Sequence, residues 1–117
     1  RTFGVLHQQG LLELVEGNRD LTPAVQVIAA PGESAGHQLV RLHSEGQTLY
    51  CLGDLYHHAA EVEQPTWMAT WANPDTILPS RRALVEAALS EDALLVAAHM
   101  PIGRLQRTPT GVTWVEV

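Results

Sequence analysis

Cysteine is almost absent from this chain: Cys51 stands alone among 117 residues, which excludes an internal disulfide framework and a cysteine-rich zinc site. It lies in an apolar, strand-like run and reads as a packing residue. Long hydrophobic runs are missing too. The longest, such as Ala93 to Ala98, fall far short of the ~20 residues that cross a bilayer, so no membrane partner is expected. Positive charge is scarce, with 7 Lys+Arg against 13 Asp+Glu and a net charge of −6. No basic cluster is denser than Arg81-Arg82, which argues against a surface built to neutralise phosphates and so against nucleic acid as a partner. The chain opens at Arg1-Thr2-Phe3 without initiator Met, charged leader or apolar signal segment. A cytoplasmic protein is expected, with its natural start upstream of Arg1.

What is present is enough for a core. At 117 residues and 45% hydrophobic content, the chain reads as a single domain spanning 1–117. Closely spaced Gly and Pro imply a mixed α/β domain with tight connections. Leu11 to Glu16 and Val25 to Ala30 are apolar, β-prone runs around the turn cluster Gly17-Asn18-Arg19-Asp20. Ile28 breaks the alternation of the second run, which predicts a strand covered on both faces. His37 to Ser44 and Thr48 to Leu52 flank Glu45-Gly46 and predict an antiparallel hairpin ending at Gly53-Asp54.

Residues 55 to 75 look irregular. The spacing of Ile77, Leu84, Ala87 and Ala88 then predicts a helix over 76–89, capped by Asp75 or Thr76. Ala93 to Ala98 predicts a buried strand ending at His99. Leu105 to Thr108 and Val112 to Val117 predict a final hairpin around Pro109-Thr110-Gly111.

Glu33, Asp54 and His99 each follow a predicted core strand, where a rigid mounting opens onto loops. Carboxylate, carboxylate and imidazole suit a divalent ion such as zinc, manganese or iron. Taken singly, the three read rather as structural: a solvated loop residue, a turn cap and a satisfied core histidine.

Their surroundings add a resemblance. Ala30-Pro31-Gly32-Glu33-Ser34-Ala35-Gly36-His37, then Gly53-Asp54, then Ala98-His99-Met100-Pro101, resembles the C-terminal half of the metallo-β-lactamase fold. That superfamily usually reads Pro-Gly-His-Thr-Pro-Gly-His, then a hairpin ending in Gly-Asp, then a helix and a strand ending in histidine. The resemblance runs from about Leu11 to the C-terminus. Gly53-Asp54-Leu55, Pro65-Thr66-Trp67 and Ser80-Arg81 are most similar to the lactonase-like and organophosphate-hydrolase-like branch. The implied fold class is α/β (α+β), the C-terminal half of an αββα sandwich. It should hold a mainly antiparallel mixed sheet with one main helix.

By position, the resemblance implies that Asp54 bridges two divalent metal ions and that His99 ligates the second. Glu33 replaces the histidine that ligates the first, a harder donor that tilts preference from zinc towards manganese or iron. His37 is implied as a supporting residue. The family's His-x-His-x-Asp-His run is nowhere in the chain. His57-His58 are adjacent and on an extended strand would face opposite ways, so they cannot copy it. The chain is thus expected to be a fragment that lacks the N-terminal half, binds no metal by itself and is inactive alone.

In the longer protein, the resemblance implies a hydroxide shared by two ions about 3.5 to 4 Å apart. That hydroxide would attack a small-molecule ester, lactone, thioester or phosphoester. Tyr56, His57, Trp67 and Trp71 are candidates for the substrate pocket wall, and core or subunit packing is the competing reading of the tryptophans. Arg81 and Arg82 read as surface or interdomain charges, and Glu61 and Glu63 as solvent-facing. A non-catalytic binding or assembly domain that keeps the fold is the alternative. A half-fold would leave one sheet face uncovered, which implies a homo-oligomer, most simply a homodimer.

Overall fold

The computed structural model describes residues 2–117. Seven strands form one sheet in sequence order: β1 (Arg19–Thr22), β2 (Val25–Ala29), β3 (Gln38–Ser44), β4 (Gln47–Cys51), β5 (Leu94–Val96), β6 (Gly103–Thr108) and β7 (Gly111–Glu116). Only β4 and β5 pair in parallel; the other neighbours are antiparallel. A parallel pair needs a crossover, and the 52–93 segment supplies it through α2 (Ala60–Glu63) and α3 (Pro74–Glu91). A short α1 (Thr2–Gln8) precedes the sheet. The fold class is as expected.

Local chemistry accounts for most of these elements. Glu45 (φ 51°) and Gly46 (φ 76°) are both left-handed, the conformation that matches a two-residue turn to the twist of β3 and β4. At the other hairpin the sequence reading is corrected. Leu11 to Glu16 is not a strand, and β1 begins inside the expected turn cluster, at Arg19. The reason is local. The Thr22 hydroxyl accepts hydrogen bonds from the Ala24 and Val25 amides, both at 3.1 Å, so the chain reverses there and Arg19–Thr22 pairs back onto β2.

Helix α3 also starts earlier than predicted. Asn73 is its cap, its side chain accepting from the Asp75 amide at 3.0 Å, and Pro74 occupies the first helical position. Pro79 therefore lies in the second turn and deprives the Asp75 carbonyl of its usual amide donor. The helix stops at Asp92, in the left-handed region at φ 48°.

The core lies between α3 and one face of the sheet. Leu39, Tyr50, Leu52, Leu55, Ile77, Leu84, Ala88 and Leu95 are all buried there. A polar knot ties the sheet to the end of α3. The Glu91 carboxylate accepts from Arg41 Nε (3.0 Å), Thr48 Oγ1 (3.1 Å) and the Tyr50 hydroxyl (2.5 Å). Burial opposes the charge on Glu91, but donors from Arg41, Tyr50 and Thr48 hold its carboxyl below the ordinary value.

Burial, with the Glu91 carboxylate beside it, pushes Tyr50 up to about 12, and burial does the same for Tyr56. A folded-state value above the unfolded one near 10 favours the neutral phenol in the native state. Their stabilising contribution is therefore complete below pH 10 and falls as pH rises towards 12. Denaturant melts should show the loss in that window, and Tyr50→Phe should reduce it.

The opposite face is different. Val25, Leu42, Leu49 and Leu94 form one cross-strand row, and Val27, Val40, Cys51 and Val96 form a second. Both rows point away from Tyr50 and Leu95, hence away from α3. Leu42 is 37% exposed, and the rest, Val27 excepted, are only half-buried. Phe3, Val5, Leu11, Leu14 and Leu21 are also exposed.

Candidate metal centre

β4 and β5 run in parallel, so the turns after them open at the same end of the sheet. The turn after β4 carries Gly53-Asp54 and the turn after β5 carries His99. The Ala98 amide donates to the Gly53 carbonyl at 3.0 Å, which fixes one turn against the other. As a result Asp54 Oδ1 lies 3.1 Å from His99 Nε2. His57 joins them: one donor atom each from Asp54, His57 and His99 lie within 4.8 Å of one another. The His57 ring stacks on His99 with centroids 5.1 Å apart and planes at 27°.

His57 belongs here because residues after Asp54 turn rather than extend, so the opposite-face rule for adjacent residues does not apply. Its backbone is held from below: the Glu61 carboxylate accepts from the His57 amide (2.6 Å) and the His58 amide (3.4 Å). Glu61 was expected to face solvent but is buried, and its carboxylate lies 3.5 Å from Arg81 Nη2.

Arg81 corrects the sequence reading further. It is 2% exposed, not a surface charge. Its Nε donates to the Leu55 carbonyl (3.1 Å) and its Nη1 to those of Pro65 (3.0 Å) and Trp67 (2.6 Å). The guanidinium lies over the Tyr56 ring, 4.7 Å from its centroid. Desolvation lowers the arginine from its ordinary value, while the Glu61 carboxylate and the Tyr56 phenol oppose that shift. The 55–67 segment, expected to be irregular but containing α2, is thus wrapped around one buried cation. Tyr56, expected on the pocket wall, is 1% exposed and belongs to the core.

Glu33 lies outside the Asp54–His57–His99 group. Its carboxylate accepts from Trp71 Nε1 at 2.9 Å. Trp71 in turn meets His57 edge to face, with centroids 6.0 Å apart and planes at 83°. Trp71 is 66% and Trp67 58% exposed, so neither is a core residue. Glu33 is fixed by its loop, because Gly32 packs flat against the start of α3. The Gly32 carbonyl accepts from the Asn73 amide (2.8 Å), and Ser80 Oγ donates to the Pro31 carbonyl (2.8 Å).

His37 ties this loop to Asp54. Its Nδ1 lies 3.1 Å from the Ala30 carbonyl, and its Nε2 accepts from the Asp54 amide at 3.1 Å. Those two partners require the tautomer with the proton on Nδ1. A Cβ at Gly53, where φ is +54°, would come within 2.9 Å of His37 Nε2. Glycine is needed there for both reasons.

In chemical terms the group offers one carboxylate oxygen and two imidazole nitrogens, half-buried or exposed, with a neighbouring indole surface. Two nitrogens and one oxygen within 4.8 Å fit a divalent transition metal and leave a coordination position for water or substrate.

No known-family profile and no curated protein matches the sequence. Solved structures do match it. AidC, a dizinc quorum-quenching lactonase in complex with an N-acyl-homoserine product, superposes with TM-score 0.80 at 21% identity, over 93% of this chain and 39% of that one. The hydrolase AbOPH, of the beta lactamase superfamily, superposes with TM-score 0.78 at 16% identity, over 98% of this chain and 41% of that one. A mutant of B. thuringiensis AiiA, with N-decanoyl-L-homoserine bound at its active site, gives TM-score 0.65 at 25% identity, over 74% of this chain and 35% of that one. This chain therefore has the fold of part of the metallo-β-lactamase-fold hydrolases, and spans about two fifths of the length of the first two. Among the described residues, no helix is long and apolar enough to cross a membrane.

Proposed function

We propose that this chain is the C-terminal half of a metal-dependent hydrolase acting on a small-molecule ester, lactone, thioester or phosphoester. The observation that carries the reading is the meeting of Asp54 Oδ1 and His99 Nε2 at 3.1 Å, on adjacent turns of a fold shared with a dizinc lactonase. When bound, divalent metal supplies Lewis-acid activation of water and stabilises the charge that develops on the attacked group.

The chain's own residues do the rest. Asp54 offers a carboxylate anchored through its amide to His37, so it can hold a cation without reorganising. His99 offers an imidazole nitrogen from the turn after β5. The exposed indoles of Trp67 and Trp71 present apolar surface to the non-reacting part of the substrate. The two apolar rows on the far side of the sheet, and the exposed Phe3, Leu11 and Leu14, are surface for the complementary half. Without that half, they drive association with a second copy.

Two experiments bear on this. In a protein that includes the complementary half, Asp54→Ala should remove bound metal and lower turnover about 1,000-fold, equivalent to ~4 kcal/mol of barrier. Unchanged metal content and turnover would support the non-catalytic assembly domain instead. Sedimentation of the 117-residue chain should show a dimer at micromolar concentration, and a clean monomer at high concentration would contradict the uncovered face.

A further inference from the structure

We infer that His57 is a metal ligand, so that this chain alone holds one divalent ion in an Asp54–His57–His99 set, with Glu33 acting as the anchor of Trp71 rather than as a ligand. The inference rests on the proposed function for Asp54 and His99 and goes beyond it for His57 and Glu33. It also departs from the expectation that the isolated chain binds no metal. That expectation counted only Glu33, Asp54 and His99.

Four observations carry it. The donor atoms of Asp54, His57 and His99 lie within 4.8 Å of one another, a group that Glu33 does not join. Donors around one ion at ~2.0–2.2 Å each sit within roughly 4.5 Å of one another, so the set needs little closure. The His57 backbone is pinned by hydrogen bonds from its own amide and from that of His58 to the buried Glu61 carboxylate, itself beside the Arg81 guanidinium. The imidazole is confined between the His99 ring and the edge of Trp71. Finally, the Glu33 carboxylate is engaged by Trp71 Nε1, which orients the indole that bounds His57. A rigid support of this kind is what a ligand needs in order to bind without an ordering cost.

The chemistry of the site changes accordingly. Two imidazoles and one carboxylate make a softer and less negative set than two carboxylates and one imidazole. Zinc is then the expected ion, and the tilt towards manganese or iron that Glu33 would introduce disappears. Glu33 becomes a positioning residue acting through Trp71.

The test titrates the purified 117-residue chain with zinc by calorimetry, and with cobalt by its visible absorption, after circular dichroism has confirmed that each variant is folded. Wild type should bind one ion per chain. His57→Ala should weaken binding by about 100-fold or more, beyond the 10–100-fold typical of outer-shell changes. Glu33→Gln, which keeps an acceptor for Trp71, should leave the affinity and the cobalt spectrum nearly unchanged. Glu33→Ala and Trp71→Ala should weaken binding by about 10-fold.

Wild-type-like binding by His57→Ala would overturn the inference. So would a loss in Glu33→Gln as large as in Asp54→Ala, or no binding by wild type. Loss of metal in Asp54→Ala and His99→Ala with His57→Ala unaffected would leave the proposed function standing and remove only the role of His57. If all three variants bind as wild type, both readings fall.

Discussion

Replacing Arg81 with methionine is expected to cost the fold about 3–5 kcal/mol, the range for removing one partner of a buried ion pair. The size follows from what the guanidinium holds. Methionine fills similar volume but leaves the Leu55, Pro65 and Trp67 carbonyls without their donor, a loss that costs most at the buried Leu55 carbonyl. It also leaves the Glu61 carboxylate buried without its cation. Lysine would not rescue, since one ammonium cannot reproduce a planar fork reaching three carbonyls. Arg82→Met, on the exposed side of the same turn, should change stability by at most about 0.5 kcal/mol. Denaturant melts of the two variants check this directly. Equal stability would mean that the 55–67 segment is held by something other than Arg81. Because Glu61 also fixes the His57 and His58 amides, the Arg81 variant should lose metal affinity along with stability.

Gly32→Ala should be comparably damaging. A Cβ at Gly32 would lie 2.3 Å from Ile77 Cβ and 2.4 Å from Ile77 Cα. Those atoms belong to the buried start of α3 and cannot rotate away. The residue also has φ of +143°, where an L side chain is strained by about 1–3 kcal/mol. Overpacking adds about 1–3 kcal/mol more. Together these imply about 2–6 kcal/mol and a melting temperature lower by roughly 8–24 °C. Relief by backbone movement would pull the Gly32 carbonyl off the Asn73 amide and displace Glu33 from Trp71. Gly36→Ala is the control: its Cβ would meet nothing within 4 Å, so it should melt like wild type.

The parts legible in the sequence are those governed by local chemistry. The Glu45-Gly46 turn, the pairing of β3 with β4, the final hairpin and the strand before His99 all follow from alternation and turn residues close in sequence. The start of α3 was misplaced although its signal was present: Asn73 directly before Pro74 is a cap followed by the proline tolerated at the first helical position.

Other features depended on distant partners. An arginine followed by another in an amphipathic helix reads as solvated charge. Arg81 is buried only because carbonyls from residues 55, 65 and 67 converge on it. Tyr56 is covered for the same reason. His57 reads from the sequence as a pocket-wall residue rather than a ligand; the chain turns at Gly53 and brings it beside Asp54 and His99. The Trp71–Glu33 bond spans 38 residues and leaves no local trace.

The proposed metal-dependent hydrolytic site is tested most directly by hydrolysis of a panel of lactones, aryl esters, thioesters and phosphotriesters by the protein joined to its complementary half, before and after chelation. The expected result is turnover that chelation abolishes and zinc restores, with no recovery in Asp54→Ala. Turnover that survives complete removal of divalent metal, or no turnover of any substrate class by the metal-loaded protein, would contradict it.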